Sequence, residues 1–381
     1  MFNSKQYMKI VVTADYFFPG SKAGGPIKSV MYICEELAKT NDVVIFTRSH
    51  DYMCKENYSS ILIDNMNKSQ FGKIYYVHNK LKFIKNFFQT IQDADYIYFN
   101  SLYSFQYTLL PLIINFCTFK KRVILSPRGE LLEGAMKIKY LRKMGYLYFF
   151  QSLFKRNVEF LASSHDESCS IKTYLNKSSF ILSNPIKLRQ PIKINTKKIP
   201  NYLDLIMICR ISEIKNIELV IDALSGLSLD VKIRLQIYGV VHSSTYFKKL
   251  QLRVSAICNR NISIEFMGHA DSDTLKSKIL SSHCLINSSY SENFGHSIIE
   301  SLSFGRPVIC SDQTPWKLIN DNGAGYCIPL NIQQYRESIL KLCAMDQTEW
   351  EEACKNAYSF YRELQSNSIK NLHVSPLFNS I

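Results

Sequence analysis

Two glutamates, Glu292 and Glu300, lie eight positions apart around a glycine-containing turn that precedes an apolar pattern of helical spacing. We expect the helix to begin near Gly295, where free backbone N–H groups and the positive end of the helix dipole favour an anion such as a diphosphate. Glu300 lies about one turn inside this helix, so its carboxylate is expected to reach a ribose hydroxyl beside the phosphates. Glu292 stays in the loop, where it can face a sugar.

The elements around this turn must hold it at the edge of a sheet. The apolar run 284–286 predicts a buried parallel strand, and the apolar residues of 298–304 recur at helical spacing until Gly305 closes the helix. The run 306–310 predicts the next strand. A strand followed by a short loop and a helix places the turn outside the carboxyl end of a strand, where doubly wound sheets bind their ligands.

The Glu292 and Glu300 pair is similar to the E-x7-E signature of retaining glycosyltransferases with the GT-B fold, most closely glycosyltransferase family 4. The spacing alone is weak evidence, but seven further segments follow in the order that this family requires. They are Phe18-Pro19-Gly20 to Gly24-Gly25-Pro26, Ser126-Pro127-Arg128-Gly129-Glu130, Ser183-Asn184-Pro185-Ile186, Cys209-Arg210-Ile211 to Lys215-Asn216, Ile237-Tyr238-Gly239, Phe266-Met267-Gly268, and Gly305-Arg306-Pro307-Val308. The resemblance covers about residues 9 to 330 and implies transfer of a sugar from a nucleotide donor.

Three residues receive catalytic roles from the resemblance. Arg210 and Lys215 follow an apolar strand, and the family pattern R-x4-K places both side chains on the donor diphosphate. A leaving nucleoside diphosphate develops negative charge, which fixed cations stabilise. Glu292 is expected to contact hydroxyls of the transferred sugar. The resemblance implies no metal and no cofactor, and the nucleotide sugar is a substrate.

Further residues are expected to bind the donor. Backbone N–H groups after Glu292 would hold phosphate, with the next two side chains as added donors, although a histidine at a helix start is equally often a cap or solvent-exposed. A glycine pair in the first strand-to-helix loop lets backbone approach a phosphate closely. A glycine and a histidine after a later strand would lie beside the base. The full donor set is Gly24, Gly25, Asn293, Phe294, Gly295, His296, Ser297, Glu300, Gly268 and His269.

The segment 126–130 departs from many family members, which carry a histidine beside the sugar at this place. Arg128 occupies the corresponding strand end and stays protonated, so it cannot be a general base and would bind phosphate or acceptor. Glu130 is the one nearby carboxylate that could orient an acceptor hydroxyl. The resemblance implies front-face substitution, in which a leaving-phosphate oxygen accepts the proton, whereas a double displacement would need a carboxylate nucleophile. Both routes stay open.

Alternating strands and helices predict two doubly wound α/β domains of the GT-B type, facing each other across a cleft. The expected domains are 1–190 for the acceptor, 191–355 for the nucleotide sugar, and a tail 356–381 that packs back on the first domain. A chain of 381 residues exceeds what one core usually supports. The predicted strands are 9–13, 42–47, 74–77, 96–100, 123–126, 159–162, 203–209, 232–238, 263–267, 284–287, 307–311 and 325–328.

Composition is consistent with a cytoplasmic enzyme. The eleven cysteines are scattered singly, without zinc-site spacing, and are expected to be reduced core residues. No cationic and apolar leader precedes the first strand, so a cleaved signal is not expected. The uncharged run 96–119 is long enough to raise a membrane-spanning helix, but its polar residues divide it into a strand and a helix.

Positive charge is concentrated in the first half. Residues 1–190 hold 26 Lys and Arg against 14 Asp and Glu, whereas residues 191–381 hold 20 against 18. Much of the excess lies in the segment 137–156, which predicts a basic, aromatic-rich helix that contacts an anionic membrane surface, giving a peripheral position on the inner face of the cell membrane. A solvated face over an aromatic core is an equal alternative. No nucleic-acid recognition motif is visible, so no nucleic-acid partner is expected.

The expected function is transfer of a sugar from a UDP- or GDP-sugar to a glycan or lipid-linked glycan acceptor, in bacterial surface polysaccharide assembly such as O-antigen, capsule or lipopolysaccharide. One alternative is a catalytically degenerate scaffold or regulator of the same fold, although the presence of Glu292, Glu300, Arg210 and Lys215 argues against it. A nucleotide-sugar epimerase is another, but it would need acid and base residues that the sequence does not show. Donor sugar, acceptor, linkage and oligomeric state stay open.

Overall fold

The computed structural model describes residues 7–154, 157–184, 186, 189–190 and 196–372. The chain divides after Asn184 into a first unit, Met1–Asn184, and a second unit, Pro185–His373. Several residues named in the sequence analysis lie outside the described residues. They are Pro185, the last two residues of the basic segment, Lys155 and Arg156, and the end of the expected tail, 373–381.

The first unit contains a sheet of eight strands in the order β3-β4-β2-β1-β5-β6-β7-β8. Its neighbouring strands are parallel, except that β3 and β4 are antiparallel. The strands are β1 (Lys9–Thr13), β2 (Asp42–Arg48), β3 (Met66–Ser69), β4 (Gly72–Val77), β5 (Tyr96–Phe99), β6 (Arg122–Leu125), β7 (Val158–Ala162) and β8 (Ser179–Ile181).

In the part of this unit that the structure describes, six α-helices connect the strands. They are α1 (Gly25–Leu37), α2 (Lys80–Gln92), α3 (Leu110–Cys117), α4 (Glu133–Lys137), α5 (Tyr140–Phe154) and α6 (His165–Leu175). Aromatic side chains fill much of one core layer of this unit, where Phe46 of β2 packs against Phe83 and Phe87 of α2 with ring centroids 5.7 and 5.6 Å away. Such aromatic pairs add to the stabilisation from burial alone.

The second unit contains a fully parallel sheet of six strands in the order β11-β10-β9-β12-β13-β14. Neighbouring residues of β9 serve opposite faces, since Leu205 belongs to one core layer and Ile206 to the other. Both faces are therefore covered, as parallel sheets require. The strands are β9 (Tyr202–Ile208), β10 (Lys232–Tyr238), β11 (Ile262–Gly268), β12 (Cys284–Asn287), β13 (Val308–Ser311) and β14 (Gly325–Ile328).

The helices of the second unit are α7 (Ile217–Ser225), α8 (Ser244–Ser255), α9 (Ser272–Ser281), α10 (His296–Ser303), α11 (Ile332–Ala344) and α12 (Gln347–Leu372). Helix α12 packs on α10. The buried guanidinium of Arg306, which follows α10, lies over the Trp350 ring of α12, 5.2 Å from its centroid, and donates to the Leu280 carbonyl of α9 at 2.6 Å. The described part of the expected tail, from residue 356, belongs to α12 within this second unit.

The twelve predicted strands are all present; four have the predicted ends, and the ends of the other eight differ by at most two residues. Two strands were not predicted, β3 and β8. The expected single helix over the basic segment is wrong, because the chain forms two helices, α4 and α5, separated at Ile138 and Lys139. Lys139 has a φ of 56°, in the left-handed region, which ends helical geometry there.

The cysteines are only partly the core residues expected from the sequence. All eleven are free thiols, and six of them are buried, but Cys117, Cys169 and Cys258 are exposed. Within the described ranges, every helix is too short or too polar to cross a bilayer. The run 96–119 divides into β5 and α3, joined by a helical turn at Phe105–Leu109, as its polar residues indicated.

Candidate functional site in the second unit

The carboxyl ends of β9 and β12 lie side by side. The two strands are hydrogen-bonded neighbours, with Cys284 opposite Leu205 and Leu285 opposite Ile206. From β9 the sheet continues to β10 and β11, whereas from β12 it continues in the other direction to β13 and β14. The direction of winding therefore reverses between β9 and β12, and ligands of open α/β sheets bind outside such a switch point.

The predicted catalytic residues Lys215 and Glu292 come together at this switch point. Lys215 ends a short turn after β9, and Glu292 lies in the loop after β12. Lys215 Nζ donates to Glu292 Oε2 at 2.5 Å, and their side chains are 13% and 18% exposed. Ser289 Oγ donates to the same carboxylate oxygen at 3.4 Å. A cation and a carboxylate are thus held together, partly screened from water, at the edge of the sheet.

Hydrogen bonds fasten the two loops to each other. The hydroxyl of Ser288 donates to the backbone carbonyls of Asn216, at 2.8 Å, and Lys215, at 3.1 Å. The backbone N–H of Tyr290 donates to the carbonyl of Ile214 at 2.9 Å. Because these bonds are independent of the Lys215–Glu292 pair, they fix the distance between the loops before any ligand binds.

Helix α10 begins directly after the loop, as predicted. Gly295 is its N-cap, with φ 72° and ψ 60°, and no side chain caps the helix. The N-terminus of α10 is therefore available to an anion through backbone N–H groups and the helix dipole. Gly305 follows the helix with a φ of 63°, a conformation that glycine adopts at low cost at a helix end.

The predicted phosphate loop is held from its other side by residues after β13. The indole N–H of Trp316 donates to the carbonyl of Phe294, and the two rings meet edge to face with centroids 5.2 Å apart. The N–H of Glu292 donates to the carbonyl of Gln313 at 3.2 Å. Asn293 Oδ1 is buried without a hydrogen-bond partner among the described residues, so it is an acceptor ready for a donor.

Further predicted site residues of this unit lie after β9 and on α10. Arg210 is two residues beyond β9, and Glu300 is in the second turn of α10, four residues after His296, so the two α10 residues share a face. Ser297 is next to His296, whose ring packs on Phe294 with centroids 4.7 Å apart. The predicted site residues of this region thus all follow β9 or β12. They are Arg210, Lys215, Glu292, the loop 293–295, His296, Ser297 and Glu300.

Gly268 and His269 lie farther along the same edge. Gly268 ends the edge strand β11 with a φ of 73°, and its carbonyl accepts from the N–H of Gly239 at 2.8 Å. His269 is exposed. Gly239 has a φ of 154°, and a Cβ there would lie 1.7 Å from the Cys209 carbonyl oxygen, so this position requires glycine.

The first unit holds the predicted Gly24 and Gly25. Gly24 is the N-cap of α1, with a φ of 74°, and Gly25 begins the helix ahead of Pro26. A Cβ added at Gly24 would meet no atom within 4 Å. The backbone here is therefore open to a ligand, at the carboxyl end of β1.

Arg128 is engaged within the first unit. Its guanidinium donates to the Tyr98 hydroxyl at 2.6 Å, to Asn100 Oδ1 at 2.8 Å and to Asn184 Oδ1 at 3.0 Å. Its φ of 55° places it in the left-handed region. These bonds tie the loop after β6 to the carboxyl end of β5, which gives Arg128 a structural role whatever it binds.

Glu130 also bonds to the loop after β5. Its carboxylate accepts from the N–H of Leu102 at 2.6 Å and from the hydroxyl of Ser101 at 2.8 Å. Burial raises the pKa of Glu130 to about 7, against the opposing effect of these hydrogen bonds. A carboxyl group with this pKa can take up or release a proton near neutral pH.

Sequence reasoning missed three residues that hold the site, Ser288, Gln313 and Trp316. Ser288 and Gln313 bond through groups that carry no distinctive pattern. Trp316 offered a signal, because it is one of two tryptophans in the chain and follows the strand after the site helix. Among the described residues, no three His, Cys, Asp or Glu side chains cluster closely enough to hold a metal ion.

Residues 188–359 match the family model described as glycosyl transferases group 1. This range contains every predicted donor-site residue of the second unit. No curated protein sequence matches the chain significantly.

Solved structures resemble the whole chain. Alr3699/HepE from Anabaena, in complex with UDP and glucose, is 16% identical with a TM-score of 0.69, and the match covers 98% of this chain and 100% of that one. Sucrose-phosphate synthase from Thermosynechococcus elongatus is 16% identical with a TM-score of 0.74, and the match covers 98% of both chains. WaaG, a glycosyltransferase involved in lipopolysaccharide biosynthesis, is 14% identical with a TM-score of 0.66, over 95% and 98%. The prediction of two Rossmann-like domains of the GT-B fold is therefore confirmed.

Proposed function

We propose that this protein is a retaining glycosyltransferase of family 4 that moves a sugar from a nucleotide donor to a glycan or lipid-linked glycan without a metal ion. The observation that carries the proposal is the Lys215–Glu292 pair at the β9–β12 switch point, beside the uncapped N-terminus of α10. The match of residues 188–359 to glycosyl transferases group 1 supports it.

The proposed chemistry assigns the two ends of the donor to different groups. Lys215, Arg210 and the α10 N-terminus stabilise the charge that develops on the leaving diphosphate. Glu292 accepts hydrogen bonds from hydroxyls of the transferred sugar, and Glu300 from the ribose. Because Lys215 bonds to Glu292, the group on the phosphate also orients the group on the sugar.

In the proposed reaction, the bond between the anomeric carbon and the phosphate oxygen breaks while the acceptor oxygen bonds to the same face of that carbon. The acceptor proton passes to an oxygen of the leaving diphosphate. This route needs no separate base, so Glu130 is assigned to the acceptor hydroxyl only as an orienting group. The raised pKa of Glu130 is compatible with either protonation state near neutral pH.

The relatives suggest the class of substrate. HepE is described with UDP and with UDP-glucose. WaaG is described as a glycosyltransferase involved in lipopolysaccharide biosynthesis, and WaaB as a lipopolysaccharide outer core galactosyltransferase. We therefore infer a UDP-sugar donor first and a bacterial surface polysaccharide as the setting.

Thermal denaturation with UDP, GDP, ADP and CMP tests the donor site. A nucleotide at 100 times its dissociation constant should stabilise the fold by about 2.7 kcal/mol. The shift should weaken in Glu300→Ala and persist in Glu352→Ala, since Glu352 is exposed on α12. Failure of all four nucleotides to raise the melting temperature would contradict the proposal. NMR of the product anomer, once a donor is found, distinguishes retention from inversion.

We further propose contact between the first unit and an anionic membrane surface. Leu141 and Tyr148 on α5 are 84% and 80% exposed, and Lys139 and Arg142 beside them are exposed cations. Each such cation is worth about 1 kcal/mol near an anionic surface. At low salt, the wild-type protein should sediment with phosphatidylglycerol vesicles. A smaller fraction of the double variant Leu141→Ser/Tyr148→Ser should sediment with them. Equal binding to neutral vesicles, or none to anionic ones, would contradict this proposal.

A further inference from the structure

The first unit has a switch point of its own. Strand β1 pairs with β2 on one side and β5 on the other, and the sheet continues outward to β4 and β3 or to β6, β7 and β8. The segments that leave the carboxyl ends of these three central strands therefore meet at the place where open α/β sheets bind ligands. The predicted donor glycines Gly24 and Gly25 lie farther along the segment that leaves β1.

Five side chains converge there, and we call them the switch-point cluster. Asp15 and Tyr16 follow β1, Arg48 ends β2, Tyr52 lies in the next loop, and Tyr107 is in the helical turn after β5. None belongs to a motif that the sequence singled out.

Arg48 is the centre of the cluster. Its guanidinium donates to Asp15 Oδ1 at 2.8 Å and lies 5.4 Å from the ring centroid of Tyr16 and 5.3 Å from that of Tyr107. Tyr16 meets Tyr52 edge to face with centroids 5.5 Å apart. Arg48 Nε is buried and has no hydrogen-bond partner in the described chain.

The Arg48 and Asp15 side chains are 29% and 26% exposed, so the pair is reachable from solvent. The guanidinium offers N–H donors and the carboxylate offers acceptor oxygens, side by side. Neighbouring hydroxyls of a sugar ring both donate and accept, so they match such a pair, and the half-buried Tyr16 and Tyr52 rings add apolar surface for the C–H face of the sugar.

The paired charges of the cluster favour a neutral sugar over an anion as its ligand. Asp15 neutralises Arg48, so a phosphate would meet the Asp15 carboxylate as well as the guanidinium. A neutral polyhydroxylated ring meets no such repulsion. We propose that the switch-point cluster is a carbohydrate subsite that binds a pyranose ring of the acceptor, an assignment that rests on the proposed transferase function.

Saturation-transfer NMR tests the subsite with the methyl pyranosides of glucose, galactose, mannose and N-acetylglucosamine as probes. At least one should receive saturation from the wild-type protein. Asp15→Asn replaces a charged acceptor oxygen with a neutral amide donor, and Tyr16→Leu removes the aromatic ring, so each should weaken binding by about tenfold or more. Tyr7→Leu is the matched control, because Tyr7 is an exposed aromatic that precedes β1, at the opposite end of that strand from Tyr16. Circular dichroism and melting temperature show that each variant is folded.

The nucleotide panel, run on the same samples, separates the two proposals. Nucleotide binding with no pyranoside binding, or with pyranoside binding that survives both cluster substitutions, would overturn the subsite and leave the transferase proposal intact. Pyranoside binding by a protein that binds none of the nucleotides would overturn the acceptor assignment together with the transferase proposal. Loss of pyranoside binding in both variants, with nucleotide shifts unchanged, is the expected result.

Discussion

Lys215 and Glu292 are 77 residues apart in the chain, yet their side chains meet at 2.5 Å. The contact joins the loops after two neighbouring central strands, β9 and β12, and Ser288 holds the same loops through two carbonyls. The two loops are therefore held together by the Ser288 hydrogen bonds even without the ion pair. Substitutions at either residue should change chemistry more than stability.

Glu292→Gln should lower the rate of sugar transfer by about 10² to 10³ while leaving nucleotide affinity nearly unchanged. The physical reason is that the proposed contacts of Glu292 are with the sugar. Calorimetric titration with UDP and with UDP-glucose measures the affinity for the nucleotide alone and for the nucleotide with its sugar. Glu213→Gln is the control, because Glu213 is an exposed acid in the same region. Equal loss of affinity for UDP would place Glu292 on the phosphates instead.

Lys215→Met should weaken nucleotide binding by about 10- to 100-fold, the effect of one charged hydrogen bond lost. The expected loss is larger for UDP than for uridine, because the ammonium group is assigned to the diphosphate. Lys276→Met, on the exposed surface of α9, should bind as the wild type does. An affinity for uridine that falls as far as that for UDP would indicate a collapsed loop rather than a lost phosphate contact.

Gly295→Ala and Gly268→Ala form a matched pair, because both glycines have φ values near +70°. In each variant the free energy of unfolding should fall by about 1 to 2 kcal/mol, because alanine is strained in the left-handed region. Gly295→Ala should lose more, since its Cβ would lie 3.0 Å from Ile298 Cδ1 and 3.2 Å from Trp316 Nε1, whereas Gly268 has open space. Urea unfolding measures the difference. Equal losses for the two variants would show that the loop around Gly295 accommodates the added methyl group without a further loss of stability.

Glu130 should make stability depend on pH. Its pKa is raised from 4.5 to about 7 by burial, so the folded protein keeps a proton that the unfolded chain loses as pH rises from 4.5 to 7. The favourable contribution of Glu130 to the free energy of unfolding is complete below pH 4.5 and is lost as the pH rises through 7. Glu130→Gln should remove this decline, which urea unfolding at four pH values across the window would measure.

Glu133 provides the control for that experiment. Its hydrogen bond and charge interaction with Lys137 lower its pKa, so its contribution has the opposite sign, and its exposure makes it small. Glu133→Gln should therefore leave the decline between pH 4.5 and 7 in place. A Glu130→Gln protein that declines as steeply as the wild type would mean that Glu130 ionises normally in the folded state.

The sequence predicted the strands that are apolar and buried, and it failed where that signal is absent. Strand β3, Met66–Ser69, has no buried residue and is the edge partner of β4, so its pairing depends on a neighbour rather than on its own pattern. The break in the basic segment depends on a single left-handed residue, Lys139, whose type does not favour that conformation.

The candidate site divides in the same way. Glu292, Lys215 and the start of α10 could be predicted because each lies beside a strand or helix boundary that the sequence marks. The switch-point cluster could not, because Asp15, Arg48 and Tyr107 are brought together by the pairing of β1 with both β2 and β5. Only the order of strands in the sheet reveals that convergence.

Strand β12 lies beside β9 in the sheet, although β10 and β11, on the other side of β9, come between them in the chain. During synthesis, a chain that has left the ribosome only as far as β11 already contains Lys215 and Arg210 but has no Glu292 opposite them. The proposed donor site therefore cannot be complete before β12 and the first turn of α10 have been synthesised. Until then Lys215 lacks Glu292, its ion-pair partner in the complete chain.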